Sequence, residues 1–188
     1  SMCPEEALQH CDSIVVGEAE DVWAALLDDA EKGMLKQRYE AKAHKDLKQA
    51  PPASRRSLSR HMYFQDILQT SKGCPFHCEF CSVYVFDGQK IRTRTIEQVM
   101  QEILDINQID PKFKKKNAIF IADDNIIADK KFARQLFTAL KPHNINWMCQ
   151  ASINISKEDD LLQLMRDSGC GAIFIGFESI SQENLSAM

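Results

Sequence analysis

Beyond residue 62, short unbroken apolar runs alternate with stretches whose apolar positions recur at helical spacing. Residues 62–70 (MYFQDILQT) read as a strand, and residues 118–122 (AIFIA), 147–150 and 172–176 (AIFIG) read as three more. Between them, Thr95 followed three residues on by Gln98 opens a helix as a capping box. Its apolar positions Ile96, Val99, Met100, Ile103 and Leu104 share one face. A second helix starts near Asp129 and turns Phe132, Leu136, Phe137 and Leu140 inward. Ser156 caps a third, which carries Leu161, Leu162 and Met165 and stops at Gly169, and Ser181 begins a fourth. Strands that are apolar throughout need cover on both faces, so the alternation predicts a parallel sheet packed by helices. Four such units suit a barrel or half-barrel, where ligands gather at the junction of strand C-termini and their loops.

The first 60 residues follow a weaker pattern. Residues 11–18 read as a strand ending at Gly17 and Glu18, followed by a helix through Trp23, Leu26, Leu27 and Ala30 that Gly33 stops. One strand and one helix cannot bury a core unaided. This stretch therefore leans on the barrel or belongs to a larger domain. Residues 41–61 are polar and basic, with Pro51 and Pro52 adjacent, and read as a linker. The organisation expected is 1–40, a linker over 41–61, and a core domain over 62–188. The chain opens at Ser1 and stops at Met188 in mid-pattern, which reads as a fragment.

Composition narrows the setting. With 188 residues and 44% hydrophobic content the chain can bury a sizeable core. A formal charge of −4 provides no basic field, so neither nucleic acid nor a membrane surface is an obligatory partner. No apolar stretch approaches a membrane span, and no charged-then-apolar leader opens the chain. Seven cysteines, an odd number with three clustered, fit a reducing cytoplasm better than a disulfide framework.

The three clustered cysteines carry the chemistry. Gly73-Cys74-Pro75-Phe76-His77-Cys78-Glu79-Phe80-Cys81 places thiols at C-x3-C-x2-C in a glycine-led loop directly after the first strand. Three thiolates so spaced can grip three corners of a cubane iron–sulfur cluster and leave one iron without a protein ligand. Electron-transfer clusters and structural zinc sites normally close with four. Cys3, Cys11, Cys149 and Cys170 are scattered singletons, and His77 would have to fold back beside Cys78 to serve. A catalytic metal keeps a position open for substrate. A structural zinc or electron-transfer module is the non-enzymatic alternative.

With this motif the chain resembles the radical S-adenosylmethionine (SAM) enzymes, in which an aromatic residue often precedes the last cysteine, as Phe80 does here. The resemblance implies that SAM chelates the free iron of a 4Fe-4S cluster through its amino and carboxylate groups. An electron from the cluster then splits the sulfonium into methionine and a 5′-deoxyadenosyl radical. It also implies a reductant protein such as flavodoxin or ferredoxin and a small-molecule substrate. The implied fold is an α/β partial (β/α)6 TIM-like barrel with the cluster loop after strand one, about four β/α units being present.

The strand ends become cofactor-binding candidates. Where many relatives carry glycine-glycine-glutamate to hold the methionyl amino group, this chain has Asp123-Asp124-Asn125, similar to several cobalamin-dependent and methylthio-transferring relatives. A carboxylate beside the SAM ammonium forms a charge-assisted pair, although Asp and Asn also simply terminate strands. Gln150 and Ser152 follow the third strand, near where some relatives place an arginine for the SAM carboxylate. Gln150 offers only neutral hydrogen bonds and reads equally well as a rim amide. Glu178, in the segment IGFES, stands at the family's ribose-binding position, where a carboxylate accepts both hydrogens of the diol. The alternative is an acid at a helix N-terminus.

The N-terminal stretch resembles the last strand and helix of the Rossmann-like cobalamin-binding domain that precedes many radical SAM domains. Pro4 to Ala7 (PEEA) and Gly17 to Glu20 (GEAE) carry that likeness, while the cobalamin-anchoring D-x-H-x-x-G is not in this chain. The expected function is reductive SAM cleavage with cobalamin-dependent C-methylation, or a related radical transformation, of a small molecule. A methylthiotransferase is the runner-up, but it needs additional upstream cluster cysteines, and none cluster there. No residue is assigned to catalysis, and no substrate-specifying element is identifiable. Cys149 and Cys170 read as small core hydrophobes, Trp23 and Trp147 as packing, Lys112 to Lys116 as a solvated turn, and His10, His44, His61 and His143 as lacking ligand spacing.

Overall fold

The computed structural model describes residues 3–55, 65–109 and 119–187. The expected strand residues 62–64 and 118, the turn at 112–116, and His61 lie outside the described residues. The chain divides into two compact units, Ser1–Asp46 and Leu47–Met188.

In the first unit, α1 (Pro4–Ala7) precedes β1 (Ile14–Val16), α2 (Trp23–Glu31) and β2 (Arg38–Glu40). The two strands pair in parallel with Val15 opposite Tyr39. β2 went unread in the sequence because its one inward residue, Tyr39, is flanked by Arg38 and Glu40. Tyr39 is held by its hydroxyl, which donates to Asp29 Oδ2 at 2.8 Å and accepts from the Lys36 N–H at 3.2 Å. Trp23, expected to pack, is 52% exposed.

The second unit contains β3 (Asp66–Leu68), β4 (Ser71–Lys72), α3 (Val83–Phe86), β5 (Arg92–Thr93), α4 (Ile96–Ile109) and β6 (Ile119–Ile121). It continues through α5 (Lys130–Leu140), β7 (Trp147–Ala151), α6 (Asp159–Asp167), β8 (Cys170–Ile175) and α7 (Gln182–Ala187). β3, β6, β7 and β8 form one sheet in that order, every pair parallel, so α4, α5 and α6 are crossover helices. The α/β class and parallel sheet expected from the apolar runs are present.

The helices cover one face of that sheet. Val99, Ile103 and Ile106 of α4, Leu136, Phe137 and Leu140 of α5, and Leu161 and Met165 of α6 bury against Leu68, Ile121, Trp147 and Cys149. Each fully buried aliphatic or aromatic side chain contributes roughly 1.5–3 kcal/mol. Trp147 stacks on Phe137 with ring centroids 5.1 Å apart and donates its indole N–H to Ser168 O at 3.0 Å, so it packs as expected. The alternate strand positions face the other way. Ile67 and Phe174 there are 58% and 55% exposed, and Phe120 meets Phe174 edge-on.

Local signals set the helix ends. The Thr95 N–H donates to Gln98 Oε1 at 3.0 Å and the Gln98 N–H to Thr95 Oγ1 at 3.2 Å, a reciprocal capping box. Asp129 caps α5 by accepting the Phe132 N–H at 3.0 Å. The cap expected at Ser156 is not there. Residues Ile153–Lys157 form a 3-10 turn and α6 begins at Asp159 after Glu158, because the buried Ile155 winds that turn onto the core first.

A buried ion network lies behind β3. Glu102 of α4 takes Arg55 on one oxygen and Arg94 on the other, the latter at 2.6 Å. Arg55 also reaches Asp66 at 3.4 Å and donates to Ile67 O at 2.7 Å. Residue 55, within the stretch read as linker, is thereby pinned to the sheet.

Candidate functional site

The cysteine loop leaves the sheet at the C-terminal end of β3 and is gathered at its base by a small ladder. β4 and β5 pair antiparallel, Ser71 opposite Thr93 and Lys72 opposite Arg92. Gly73 follows with φ 93°, and a Cβ there would lie 2.6 Å from Lys90 O and 3.0 Å from Gly88 O. Only glycine fits this position. The Cys74 N–H donates to Gly88 O at 3.2 Å, so the loop crosses itself directly at its first thiol. A turn closed by the Cys81 N–H on Cys78 O at 3.0 Å carries the other two cysteines ahead of α3.

Cys74, Cys78 and Cys81 are free and half-buried. Burial pushes the Cys74 thiol up, the Phe76 N–H offsets part of this, and the nearby Asp124, Cys78 and Cys81 raise it further. These surroundings favour the neutral thiol at Cys74, and bound iron would reverse that by holding its sulfur as a thiolate. Among the described residues no three or more His, Cys, Asp or Glu side chains converge on a single-ion position. His77 is turned onto Tyr84, ring centroids 4.0 Å apart, rather than back toward the thiols. Phe80 projects from the loop, 57% exposed.

The paired aspartates after β6 have different environments. Asp123 is 1% exposed. Its carboxylate accepts the N–H groups of Thr70 at 2.6 Å and Ser71 at 3.0 Å, the Ser71 hydroxyl at 2.8 Å, and the Thr70 hydroxyl. Burial pushes this carboxyl up and the donated bonds pull it back. Asp124 points to solvent on the cysteine-loop side. Crowding on its protein flank, then Asp87 and Asp123, raise its carboxyl above the usual carboxylate range.

Asn125, buried, fastens the next two strand ends together. Its Oδ1 accepts the Ser152 N–H at 3.1 Å and the Ile127 N–H at 3.4 Å, while the Ile126 N–H donates to Gln150 O at 3.0 Å. Ser152 Oγ is enclosed and makes no hydrogen bond among the described residues. It lines a cavity of about 340 Å³ with Asn125, Pro75 and Phe76 of the cysteine loop, and Lys130, Lys157 and Glu158. The Gln150 side chain is exposed on the other side of β7. Glu178 follows β8 with φ 57°, and its Oε1 occupies the space a side chain at Gly176 would fill.

The structure thus brings Cys74, Cys78, Cys81 and Asp124 into one electrostatic neighbourhood and puts Ser152 beside the same loop. Asp123 lies behind it, and Gln150 and Glu178 stand on strand ends further along the sheet. Thr70 and Ser71 were missed in the sequence. Their one signal was two hydroxyl residues between an apolar run and the loop glycine. Asn125 was read only as the last residue of the Asp123-Asp124-Asn125 segment, with no role of its own.

Comparison with known proteins places these features in context. The family model described as the Radical SAM superfamily matches residues 68–188. The bacteriochlorophyllide d C-8(2)-methyltransferase of Chlorobaculum tepidum is 30% identical over 197 aligned positions, covering 100% of this chain and 44% of the relative. The cytidylyl-2-hydroxyethylphosphonate methyltransferase of Streptomyces wedmorensis is 35% identical over 125 positions, covering 64% of this chain and 22% of the relative. A solved structure of the cobalamin-dependent SAM radical enzyme OxsB, with aqua-cobalamin and SAM bound, superposes with a TM-score of 0.75 at 20% identity, over 97% of this chain and 30% of that one. At that identity the likeness concerns the fold. The chain spans less than half the length of the curated relatives it matches. No helix among the described residues is long and apolar enough to cross a membrane.

Proposed function

Because the chain belongs to the Radical SAM superfamily, we propose that Cys74, Cys78 and Cys81 hold a 4Fe-4S cluster whose remaining iron takes SAM. The observation that carries this reading is the loop itself. Three free, half-buried thiols stand on one loop at the C-terminal end of a parallel strand, with no fourth cysteine on that loop. When bound, the cluster and SAM supply an electron and a sulfonium whose reductive cleavage yields methionine and a 5′-deoxyadenosyl radical.

The chain's own residues hold and orient these groups. Asp124, exposed beside the thiols, takes the SAM ammonium as a charge-assisted partner. Its raised proton affinity eases as that cation arrives. Ser152, whose enclosed hydroxyl has no hydrogen bond among the described residues, donates to a polar group entering the cavity at the loop, and Gln150, exposed on the other side of β7, offers SAM a neutral hydrogen bond. Phe80 packs on the adenosine moiety, and Glu178 accepts its ribose hydroxyls. The open sheet face bearing Ile67, Phe120 and Phe174 forms the inner wall of the partial (β/α)6 barrel, and its apolar character excludes water from a radical.

The whole protein, on this reading, methylates an unreactive carbon of a small molecule with cobalamin. Residues 1–40 are the remnant of the cobalamin-binding domain, 62–188 the SAM-binding core, and 41–61 the connection between them, its Arg55 tied to the core sheet. The methyltransferase names of its relatives support that choice. An electron-donor protein of the flavodoxin or ferredoxin kind completes the system. The free cysteines support the cytoplasm as its setting.

Anaerobic reconstitution with iron and sulfide tests the assignment. The protein should bind about four irons and show, once reduced, an electron paramagnetic resonance signal that SAM shifts. Cys78→Ala should lose both cluster and signal. Retention of zinc instead, or a cluster spectrum indifferent to SAM, overturns the reading.

A further inference from the structure

We infer that Asp123 is the positioning residue of the cysteine loop, fixing the turn by which the chain leaves β3 and so the place of Cys74. The inference rests on the assignment of Cys74 as a cluster ligand. In the sheet, Leu68 pairs with Ile121, and the last ladder bond runs from the Ala122 N–H to Leu68 O at 2.8 Å. Beyond it the chain turns out of the sheet into the loop, and the N–H groups of Thr70 and Ser71 lose their strand partner. Both are deeply buried, where an unpaired N–H is costly.

Asp123 replaces the missing strand. Oδ1 accepts both N–H groups, and Oδ2 accepts both hydroxyls. All four bonds run toward an acceptor-only group, as an ionised carboxylate requires. The opposite side of the turn is held by the Arg94 N–H, which donates to Thr70 O at 2.9 Å. Ser71 then enters β4, and Cys74 follows three residues on. With both oxygens committed and the carboxylate sealed from solvent, Asp123 acts through the loop, while its exposed neighbour Asp124 is left to meet a ligand.

The two roles separate by chemistry. In Asp123→Asn the amide oxygen still accepts the two N–H groups, and the amide nitrogen donates to the two hydroxyls, which rotate to accept. The turn survives without its charge. Asp123→Ala leaves all four donors unpaired. On reconstituted protein, cluster loss to a chelator is followed by absorbance, alongside the resonance spectrum with and without SAM. Asp123→Ala should release its cluster about 10- to 100-fold faster than wild type, and Thr70→Val combined with Ser71→Ala about 10-fold faster, the latter serving where the alanine variant does not fold. Asp123→Asn should match wild type in retention and in its response to SAM. Leu136→Ala, a core truncation in α5 away from the loop, controls for general destabilisation and should release cluster at the wild-type rate.

Wild-type protein that takes up no cluster overturns the proposed function and this inference with it. A wild type that holds its cluster beside an Asp123→Ala or double variant that holds it equally well overturns this inference alone. So does a Leu136→Ala variant as labile as Asp123→Ala, since retention would then follow global stability. An Asp123→Asn variant that keeps its cluster but no longer responds to SAM overturns it too, by making the charge a direct SAM contact.

Discussion

Gly73 and Asp123 show how single positions shape the loop. At Gly73 the left-handed backbone and the approach of Lys90 O to 2.6 Å from a would-be Cβ exclude any side chain. Gly73→Ala is expected to cost at least about 1–3 kcal/mol through backbone strain, measurable as a lowered urea midpoint. The cluster-loading assay should show reduced iron uptake in the same variant. Asp123 and Asp124 are chemically identical neighbours with opposite surroundings, the first sealed against Thr70 and Ser71 and the second exposed. The sequence showed a pair of carboxylates at a strand end. Which one was sealed under the loop depended on where Thr70 and Ser71 came to lie.

Among the elements, helix starts obeyed local chemistry wherever the core made no competing demand. Thr95 with Gln98 and Asp129 both cap as their spacing implies, since each satisfies an N–H that the first turn leaves open. Ser156 does not, because Ile155 is drawn into the core and winds residues 153–157 into a 3-10 turn. Asp129→Ala should therefore lose about 1 kcal/mol of stability. Ser156→Ala, at an exposed position without a cap bond, should stay within about 0.5 kcal/mol. Paired urea titrations of the two variants check the contrast. β4 and β5 escaped sequence reading because two residues form no pattern, and β2 because its single inward residue stands between Arg38 and Glu40, whereas the equally short β1, β3 and β6 lie within apolar runs.

At the scale of the whole molecule, the parallel sheet of the second unit carries the site at its strand ends, and the network centred on Glu102 braces the strand that feeds it. Glu102 is 4% exposed and neutralises two arginines, Arg55 and Arg94, that are themselves buried. Removing one partner from a buried pair leaves a charge without compensation. Glu102→Ala is accordingly expected to destabilise the chain by about 3–5 kcal/mol, with Glu102→Leu no better, read as the shift in denaturant midpoint. Nothing in the sequence between residues 41 and 61 signalled this tie, since an arginine beside prolines looks like linker until Glu102 and Asp66 are brought to it by the fold.

The amino-acid sequence alone determined the alternation of buried strands and amphipathic helices, the parallel sheet that follows from it, and the three-thiol loop after the first strand. Those features are written in local spacing, and local spacing survives in one dimension. Only the tertiary structure decided which aspartate is sealed and which is open, that Ser152 is enclosed beside Phe76, and that Arg55 belongs to the second unit. Each of these turns on a meeting of residues 47 to 76 positions apart (Arg55 with Glu102, Phe76 with Ser152). Such a meeting depends on chain crossings that no short pattern encodes.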